Sequence, residues 1–402
     1  MLIFSHVNLF CPVVYPAIDQ LPAEYVDMAI HLLDPKKIDF PTAARYISSE
    51  SFWRRLCLER WPSPDIKPHG NSWKRLYCEK HLTSLIESYY PSTETSGDVD
   101  ASLNLLLVHT QAAAPFVYSL DLHPLAPWPV DKLPGDSILG YLPNLHSLSL
   151  SPAPSIGLDF DSSLLLLSAP ILQAICMHVS RSRTLVSLSL CNLSLSDSHV
   201  LLLARALASS STITSLSLAH NVMSDNAITA LCSALTTTYV LSQLDISDNE
   251  IGEEGARTLA TYISSDACVL TSLDITLNPI GDEGAAAILR AAAQCPSLKR
   301  IRMVACGAAE RAASAVAQAL EGENGQGREI ILSGNRDALS GTAGNNVIDA
   351  VSRPTATGYV RWQGTGIAIE DEEKGLQAIR ERRIKERQQN RKMFQQGWDS
   401  MM

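Results

Sequence analysis

LSQLDISDN (Leu241–Asn249) decides how the rest of the chain reads, because the same nine-residue frame recurs on both sides of it. Upstream stand LVSLSLCNL (Leu185–Leu193) and ITSLSLAHN (Ile213–Asn221); downstream stand LTSLDITLN (Leu270–Asn278) and LKRIRMVAC (Leu298–Cys306). Successive starts lie 28, 28, 29 and 28 residues apart. Positions 1, 4 and 6 are apolar in every copy, and position 9 holds Asn221, Asn249, Asn278 and then Cys306, while the first copy carries its asparagine one step early at Asn192. Side chains alternate along a strand, so positions 4 and 6 point to one side; an asparagine at position 9 can satisfy buried backbone groups where the chain turns. Seven residues beyond position 9, Val200, Ile228, Ala256, Ala285 and Ala313 each open an i, i+3, i+4, i+7 apolar stripe, for example Ala256, Leu259, Ala260 and Ile263. That spacing predicts a helix in each repeat.

Strand and helix in constant phase resemble the leucine-rich repeat, and the period near 28 resembles its ribonuclease-inhibitor-like class. The expected fold is an α/β leucine-rich repeat solenoid, a horseshoe with strands inside and helices outside. Degenerate outer copies extend it: VYSLDL at Val117, LHSLSL at Leu145 and GREIILSGN at Gly327. The long repeat Leu145–Thr184 contains SPAPSIGLDFDSS, read as a loop inserted before its helix. The expected organisation is a helical N-terminal domain over 1–100, the solenoid over 101–340, an extended linker over 341–375 and a basic helical tail over 376–402.

Composition narrows the function classes. A net charge of −10 over 402 residues argues against nucleic acid or an anionic membrane as the whole protein's partner. Nine cysteines without a C-x-x-C pair suit reduced thiols better than a disulfide framework or a zinc site. No uncharged apolar run of about 18 residues is present, so a cytoplasmic chain is expected. Catalytic signatures are missing as well: no G-x-x-x-x-G-K-[ST], H-E-x-x-H or G-x-S-x-G occurs, and neither an enzymatic role nor a cofactor is expected. IGEEGA (Ile251–Ala256) and IGDEGA (Ile280–Ala285) read as turn glycines with carboxylates favourably placed at helix N-termini. DISDNEIGEEGA, from Asp245, fails as a calcium loop because Ala256 stands where a bidentate glutamate is needed.

Binding surfaces are the better candidates. Positions 3 and 5 of successive strands, expected on the concave face, run Ser187 and Ser189, Ser215 and Ser217, Gln243 and Asp245, Ser272 and Asp274, Arg300 and Arg302. Small polar residues give way to acids and then to bases, so Asp245, Asp274, Arg300 and Arg302 are the partner-binding candidates there. Asp248, Glu250, Glu253, Glu254, Asp282 and Glu283 make the middle of the rim acidic, which can steer a basic partner or keep the array soluble. A second candidate set is the C-terminal run Arg380, Arg382, Arg383, Lys385, Arg387, Arg391 and Lys392, set against only Glu381 and Glu386. Its apolar face is thin, so it is expected to order on an acidic partner surface, protein or microtubule.

The N-terminal hundred residues are helical by pattern. LPAEYVDMAIHLLDP places Val26, Ala29, Ile30 and Leu33 on one stripe; SFWRRLCLERW groups Trp53, Leu56, Cys57 and Arg60; and NSWKRLYCEKHL offers Asn71 or Ser72 as a helix cap with Trp73, Leu76 and Tyr77 inward. The LP…LDP…AAR…WRRL order resembles the F-box, which with leucine-rich repeats implies a substrate receptor of a ubiquitin ligase, although ISSESFW puts extra residues between Ala44-Arg45 and Trp53-Arg54. The longer combination of LDP, AARYI, SFWRRLCLERW and KPHGNSWKRLYCEKHL, followed by a Ser-rich spacer and this repeat class, is similar to the T-complex-associated testis-expressed protein family, subunit 5 of the axonemal nexin-dynein regulatory complex. The resemblance spans Leu21 to Leu332, and HGNSWKR is its most specific piece. It implies a non-enzymatic scaffold in the cytoskeleton of the cilium or flagellum, at the axoneme. The implied partners are other subunits of that complex, with the doublet microtubule or axonemal dynein beside them. The basic tail lies outside the resemblance.

Overall fold

From Ser119 onward short parallel strands alternate with helices, as the repeat period requires. A computed structural model describes residues 38–89, 99–123, 135–152, 167–320, 327–335 and 359–361, with single helical positions at 345, 347–349, 351 and 377. The Val26 stripe, the SPAPSIGLDFDSS insertion from Ala153 onward and the basic run from Arg380 fall outside these residues. The chain divides into two units, Met1–Leu193 and Ser194–Met402.

Among the described residues of the first unit, four α-helices precede the strands: α1 (Phe40–Tyr46), α2 (Glu50–Arg60), α3 (Trp73–Ser88) and α4 (Val99–Ala113). The strands β1 (Ser119–Leu122), β2 (Ser147–Leu150) and β3 (Ser187–Leu190) follow, with α5 (Gly135–Gly140) after β1 and α6 (Ala169–Arg181) after β2. Leu120, Leu148 and Leu188 stand in register across the three strands and are buried together. Ala44-Arg45 and Trp53-Arg54 lie on different helices: α1 ends at Tyr46, Ile47-Ser48-Ser49 turns the chain, and the Trp53 indole donates to the Ile47 carbonyl at 2.9 Å. Ile47-Ser48-Ser49 are therefore a helix break, and Glu50 and Ser51 open α2.

Phe40 of α1, Tyr77 and His81 of α3, and His109 of α4 form a stacked cluster, with the Phe40 and His81 ring centroids 4.1 Å apart. Arg60 Nη1 donates to His81 Nδ1 at 2.8 Å, which fixes the proton of that imidazole on Nε2, where it meets His109 Nδ1 at 2.9 Å. Both imidazoles are thereby held neutral. Burial, then the Arg60 charge and His109, push the His81 pKa down to about 3.

The second unit contains α7 (Asp197–Leu207), β4 (Ser215–Ser217), α8 (Asp225–Leu235), β5 (Gln243–Asp245), α9 (Glu253–Ile263), β6 (Ser272–Asp274), α10 (Gly281–Gln294), β7 (Arg300–Arg302), α11 (Glu310–Leu320), β8 (Glu329–Ile331) and β9 (Tyr359–Arg361). Strands β4 to β9 pair in parallel in chain order. The last of them lies inside the stretch 341–375 expected to be linker, so the sheet runs one strand further than the repeat pattern indicates. The helical stripes face inward as the spacing predicts: Ala256, Leu259, Ala260 and Ile263 are buried, as are Ala285, Ile288, Leu289 and Ala292.

Asparagine ties one repeat to the next. Asn249 is buried; its Oδ1 accepts from the Met223 amide of the preceding repeat, and its Nδ2 reaches the carbonyls of Leu218, Ile246 and Ser247 at 3.0–3.1 Å. Asn278 repeats the pattern with Ile251, Ile246, Ile275 and Thr276, and Asn335 with Ala308, Met303 and Leu332. At Cys306 a thiol takes over the donor half, with Sγ contacting the Ile275 carbonyl at 3.2 Å and the Val304 carbonyl at 3.4 Å.

The glycines of the two helix-start motifs serve different ends. Only Gly281 has a left-handed backbone, at φ +69°; Gly252 has φ −94°, so it is not the turn glycine that the motif suggests. Gly255 lies inside α9, where an added Cβ would sit 2.5 Å from Asp225 Oδ1, and at Gly284 it would sit 2.8 Å from the Ala256 Cβ. Hydrogen is the only side chain that lets successive helices approach this closely.

Two outcomes are expected. Asn249→Ala strands an amide and three carbonyls in the interior, and urea unfolding should show a loss of about 2–4 kcal/mol. Below pH 6.5 the unfolded chain binds a proton at His81 that the folded chain refuses until about 3, so stability should fall as pH drops through that window. Thermal midpoints at pH 7.5 and 5.5 should differ less in His81→Gln, which keeps both hydrogen bonds but cannot titrate.

Candidate functional site

The HGNSWKR segment is a clasp that runs from the surface at Gly70 and Asn71 into the interior at Lys74. Gly70 and Asn71 both take left-handed backbone angles, at φ +65° and +58°, which turns the chain so that Ser72 caps α3 by accepting from the Arg75 amide. Glu50 of α2 completes that cap: Ser72 Oγ donates to it at 2.6 Å and the Trp73 amide at 2.5 Å. Lys74 is buried, with Nζ 4.0 Å from the Phe116 ring centroid. One turn on, the buried Glu79 carboxylate gathers His69 Nδ1 and Arg75 Nε, the latter at 2.9 Å, and accepts the Tyr118 and Ser119 amides at 2.8 and 2.9 Å. Ser119 opens β1, so α3 supplies an acceptor to the backbone at the start of that strand.

The strand candidates come together in the second unit. One row across β5 to β9 reads Gln243, Ser272, Arg300, Glu329 and Tyr359; the other reads Asp245, Asp274, Arg302, Ile331 and Arg361. Neighbouring strands are about 4.8 Å apart, so charges on adjacent strands can meet. Arg302 Nε lies 3.2 Å from Asp274 Oδ2, and Glu329 bridges two arginines, taking Arg300 Nε at 3.0 Å and Arg361 Nη2 at 2.7 Å. Asp245 stands apart from the arginines. It accepts from Ser217 Oγ at 3.0 Å and Ser247 Oγ at 2.7 Å.

Arg300, Arg302 and Arg361 are half-exposed or more, whereas Glu329 and Asp274 are mostly covered, at 19% and 17%. The acids hold each guanidinium by one edge and leave its other donors toward solvent. A planar fork held this way suits a carboxylate on a partner protein. Glu329 and Arg361 belong to this ion-pair network but are absent from the strand-face candidates. Extending positions 3 and 5 to GREIILSGN reaches Glu329; Arg361 follows no repeat signal, because β9 lacks the nine-residue frame.

Much of the rim's negative charge is used internally. Asp282 accepts the amides of Ala309, Arg311 and Ala312 at 2.7–2.9 Å, capping α11 from the preceding repeat. Glu283 holds Arg311 at 2.5 Å and Arg290 at 3.4 Å, and hydrogen bonds from Arg311 first and Arg290 second keep its carboxyl below the usual range. Asp248 pairs with His220 at 2.6 Å and Glu253 with Arg257 at 2.5 Å.

Comparison with known proteins agrees with this architecture. The Leucine Rich repeat family model matches residues 209–232, 240–260 and 267–289, which cover parts of three of the repeats described above. Dynein regulatory complex subunit 5 of Chlamydomonas reinhardtii is 32% identical over 186 residues, 46% of this chain and 45% of that protein. Proteins of the same name from Mus musculus and Homo sapiens are 34% and 38% identical over 91 and 80 residues, covering 23% and 19% of this chain and 18% and 15% of their own lengths. The chain thus spans less than half the length of the curated relatives it matches. Its repeats fold as an α/β solenoid and match the Leucine Rich repeat model, and over the matched residues the chain is similar to dynein regulatory complex subunit 5.

Proposed function

We propose that the chain is a non-enzymatic scaffold subunit of the axonemal nexin-dynein regulatory complex, linking doublet microtubules and regulating dynein-driven movement of cilia and flagella. The observation that carries this reading is the 186-residue match to the Chlamydomonas protein of that complex. The solenoid suits it, because a row of short parallel strands offers extended docking area.

Within that reading, Asp274, Arg300 and Arg302, joined by Glu329 and Arg361, form the docking face for another subunit of the complex. Asp245 contributes at its edge. The basic run Arg380, Arg382, Arg383, Lys385, Arg387, Arg391 and Lys392 is the second docking element, directed at an acidic surface such as the doublet microtubule. No nucleic acid, membrane or cofactor enters the proposal, and the place of action is the axoneme.

Detergent extraction of flagella tests the reading directly. A tagged copy should stay with the axonemal pellet; release into the soluble fraction, or recovery with a ubiquitin-ligase adaptor, would count against it. Arg300→Glu with Arg302→Glu should lower incorporation several-fold with little change in the thermal midpoint, because exposed ion pairs contribute about 1 kcal/mol or less. Deleting residues 376–402 should weaken retention while the repeats stay folded, and unchanged retention would show the tail to be dispensable.

A further inference from the structure

Where α9 and α10 end and the chain turns back toward the next strand, two thiols from adjacent repeats come together. Cys268 follows α9 and Cys295 caps the C-terminus of α10, and their Sγ atoms lie 3.9 Å apart. Both are free and buried, but their chain neighbours Asp266, Gln294 and Pro296 are exposed, so the pair sits at a surface turn. A disulfide needs the sulfurs to close to about 2.05 Å, a movement of about 2 Å shared between two side chains on exposed turns.

Cys295 also answers a buried charge. Arg328, at the entry to β8, is fully buried, and its Nε, Nη1 and Nη2 donate to the carbonyls of Leu298, Ala319 and Cys295 at 2.7, 2.5 and 2.7 Å. Carbonyl dipoles solvate a guanidinium without neutralising it, and a buried cation lacking a counter-ion is costly. Among the described residues no carboxylate pairs with Arg328; the ionisable group whose charge acts on it is the Cys295 thiol. Ser297 Oγ lies 3.2 Å from that sulfur. Hydrogen bonding from the Cys268 thiol first, then from the Ser297 hydroxyl and the Leu298 and Ser297 amides, pulls the Cys295 pKa below its usual value against the opposing effect of burial. The same bond between the thiols, with burial behind it, raises that of Cys268. At Cys57, Cys78, Cys232 and Cys306, by contrast, burial dominates and pushes the thiol up.

We infer that Cys268 and Cys295 are a redox-active dithiol, with Cys295 as the attacking thiolate paired with Arg328, Cys268 as the resolving thiol and hydrogen peroxide as the oxidant. The Cys295 sulfur attacks one peroxide oxygen and breaks the O–O bond, giving a sulfenic acid and a hydroxide that takes back the proton Cys295 had released. Cys268 then attacks the Cys295 sulfur: the S–S bond forms, the S–O bond breaks, and the Cys268 proton leaves with that oxygen as water. Two thiols lose two electrons between them, and one peroxide becomes two waters. A dithiol reductant reverses the step by exchange. The product joins two adjacent repeats covalently and takes the thiolate away from Arg328.

Trypsin separates the two sulfurs, into Thr258–Arg290 and Ala291–Lys299, so mass spectrometry can read the step on the full chain. After hydrogen peroxide and alkylation of the remaining thiols, these peptides should be recovered as one species, lighter than their sum by two hydrogens and split by dithiothreitol. Cys268→Ser should leave Cys295 as a sulfenic acid that dimedone traps, and Cys295→Ser should leave Cys268 a thiol at the same dose. Arg328→Gln should slow oxidation about tenfold or more, and Arg328→Lys, which keeps a charge there, should recover part of the rate. The natural chain supplies a test free of any folding defect: iodoacetamide at neutral pH should label Cys295 before Cys232 and Cys306. Recovery of both peptides as thiols, cross-linking of either cysteine to other cysteines in similar yield, or labelling of Cys295 no faster than of Cys232 and Cys306 would overturn the inference. So would unchanged oxidation of Cys268 in the Cys295→Ser chain.

Discussion

The repeats depend on where the backbone polar groups of their turns go. Each repeat must bring its chain out of a strand and into a helix through a tight corner, and a buried amide or carbonyl left open there costs about 1–3 kcal/mol. Asn249 and Asn278 answer that cost with one side chain that both accepts and donates, and the bonds run to the preceding repeat as well as their own. The corner is therefore stable only when stacked. That coupling explains why the period is kept so closely through the centre of the array, and it is the molecular form of nearest-neighbour stability in solenoids.

A second coupling runs along the helix starts. Asp197 accepts from Ser224, Asp225 from the Gly252 amide and Asp282 from the amides at the start of α11, so a helix receives its N-terminal acceptor from the repeat before it. This holds for α8, α9 and α11, where the acid favours the helix dipole and, at α9, Gly255 lets the two backbones close on it. Charge that looks free in a one-dimensional reading is in this way committed to the stack. On the strand face, pairing between Asp274 and Arg302 or between Glu329 and its two arginines sets geometry without burying the guanidinium groups.

These couplings mark what was legible in the sequence. Leu, Ile and Ala stripes announce themselves by period alone, because one face of each element must be apolar whatever its neighbours do. The gathering of Asp274 with Arg302 was legible too, since parallel register places equal positions side by side. Glu79 was not: its partners Tyr118 and Ser119 lie 39 and 40 residues away, and no local pattern marks a carboxylate that will meet the start of a strand. Nor was Tyr359–Arg361, which joins the sheet with neither the Leu-x-Leu frame nor an asparagine.

The HGNSWKR clasp shows how a motif can be specific without being an active site. A helix N-terminus needs acceptors, the start of a strand needs an acceptor, and a buried carboxylate needs donors. Here Glu50 and Glu79, two turns of helix and two left-handed residues settle all three demands at once, and few other residues could stand at Gly70, Asn71, Ser72 and Arg75. Removing one group unbalances the others: without Arg75 the Glu79 charge is poorly matched in the interior, and without Glu79 the first strand loses that acceptor. Sequence identity in such a segment follows from packing three elements around one carboxylate.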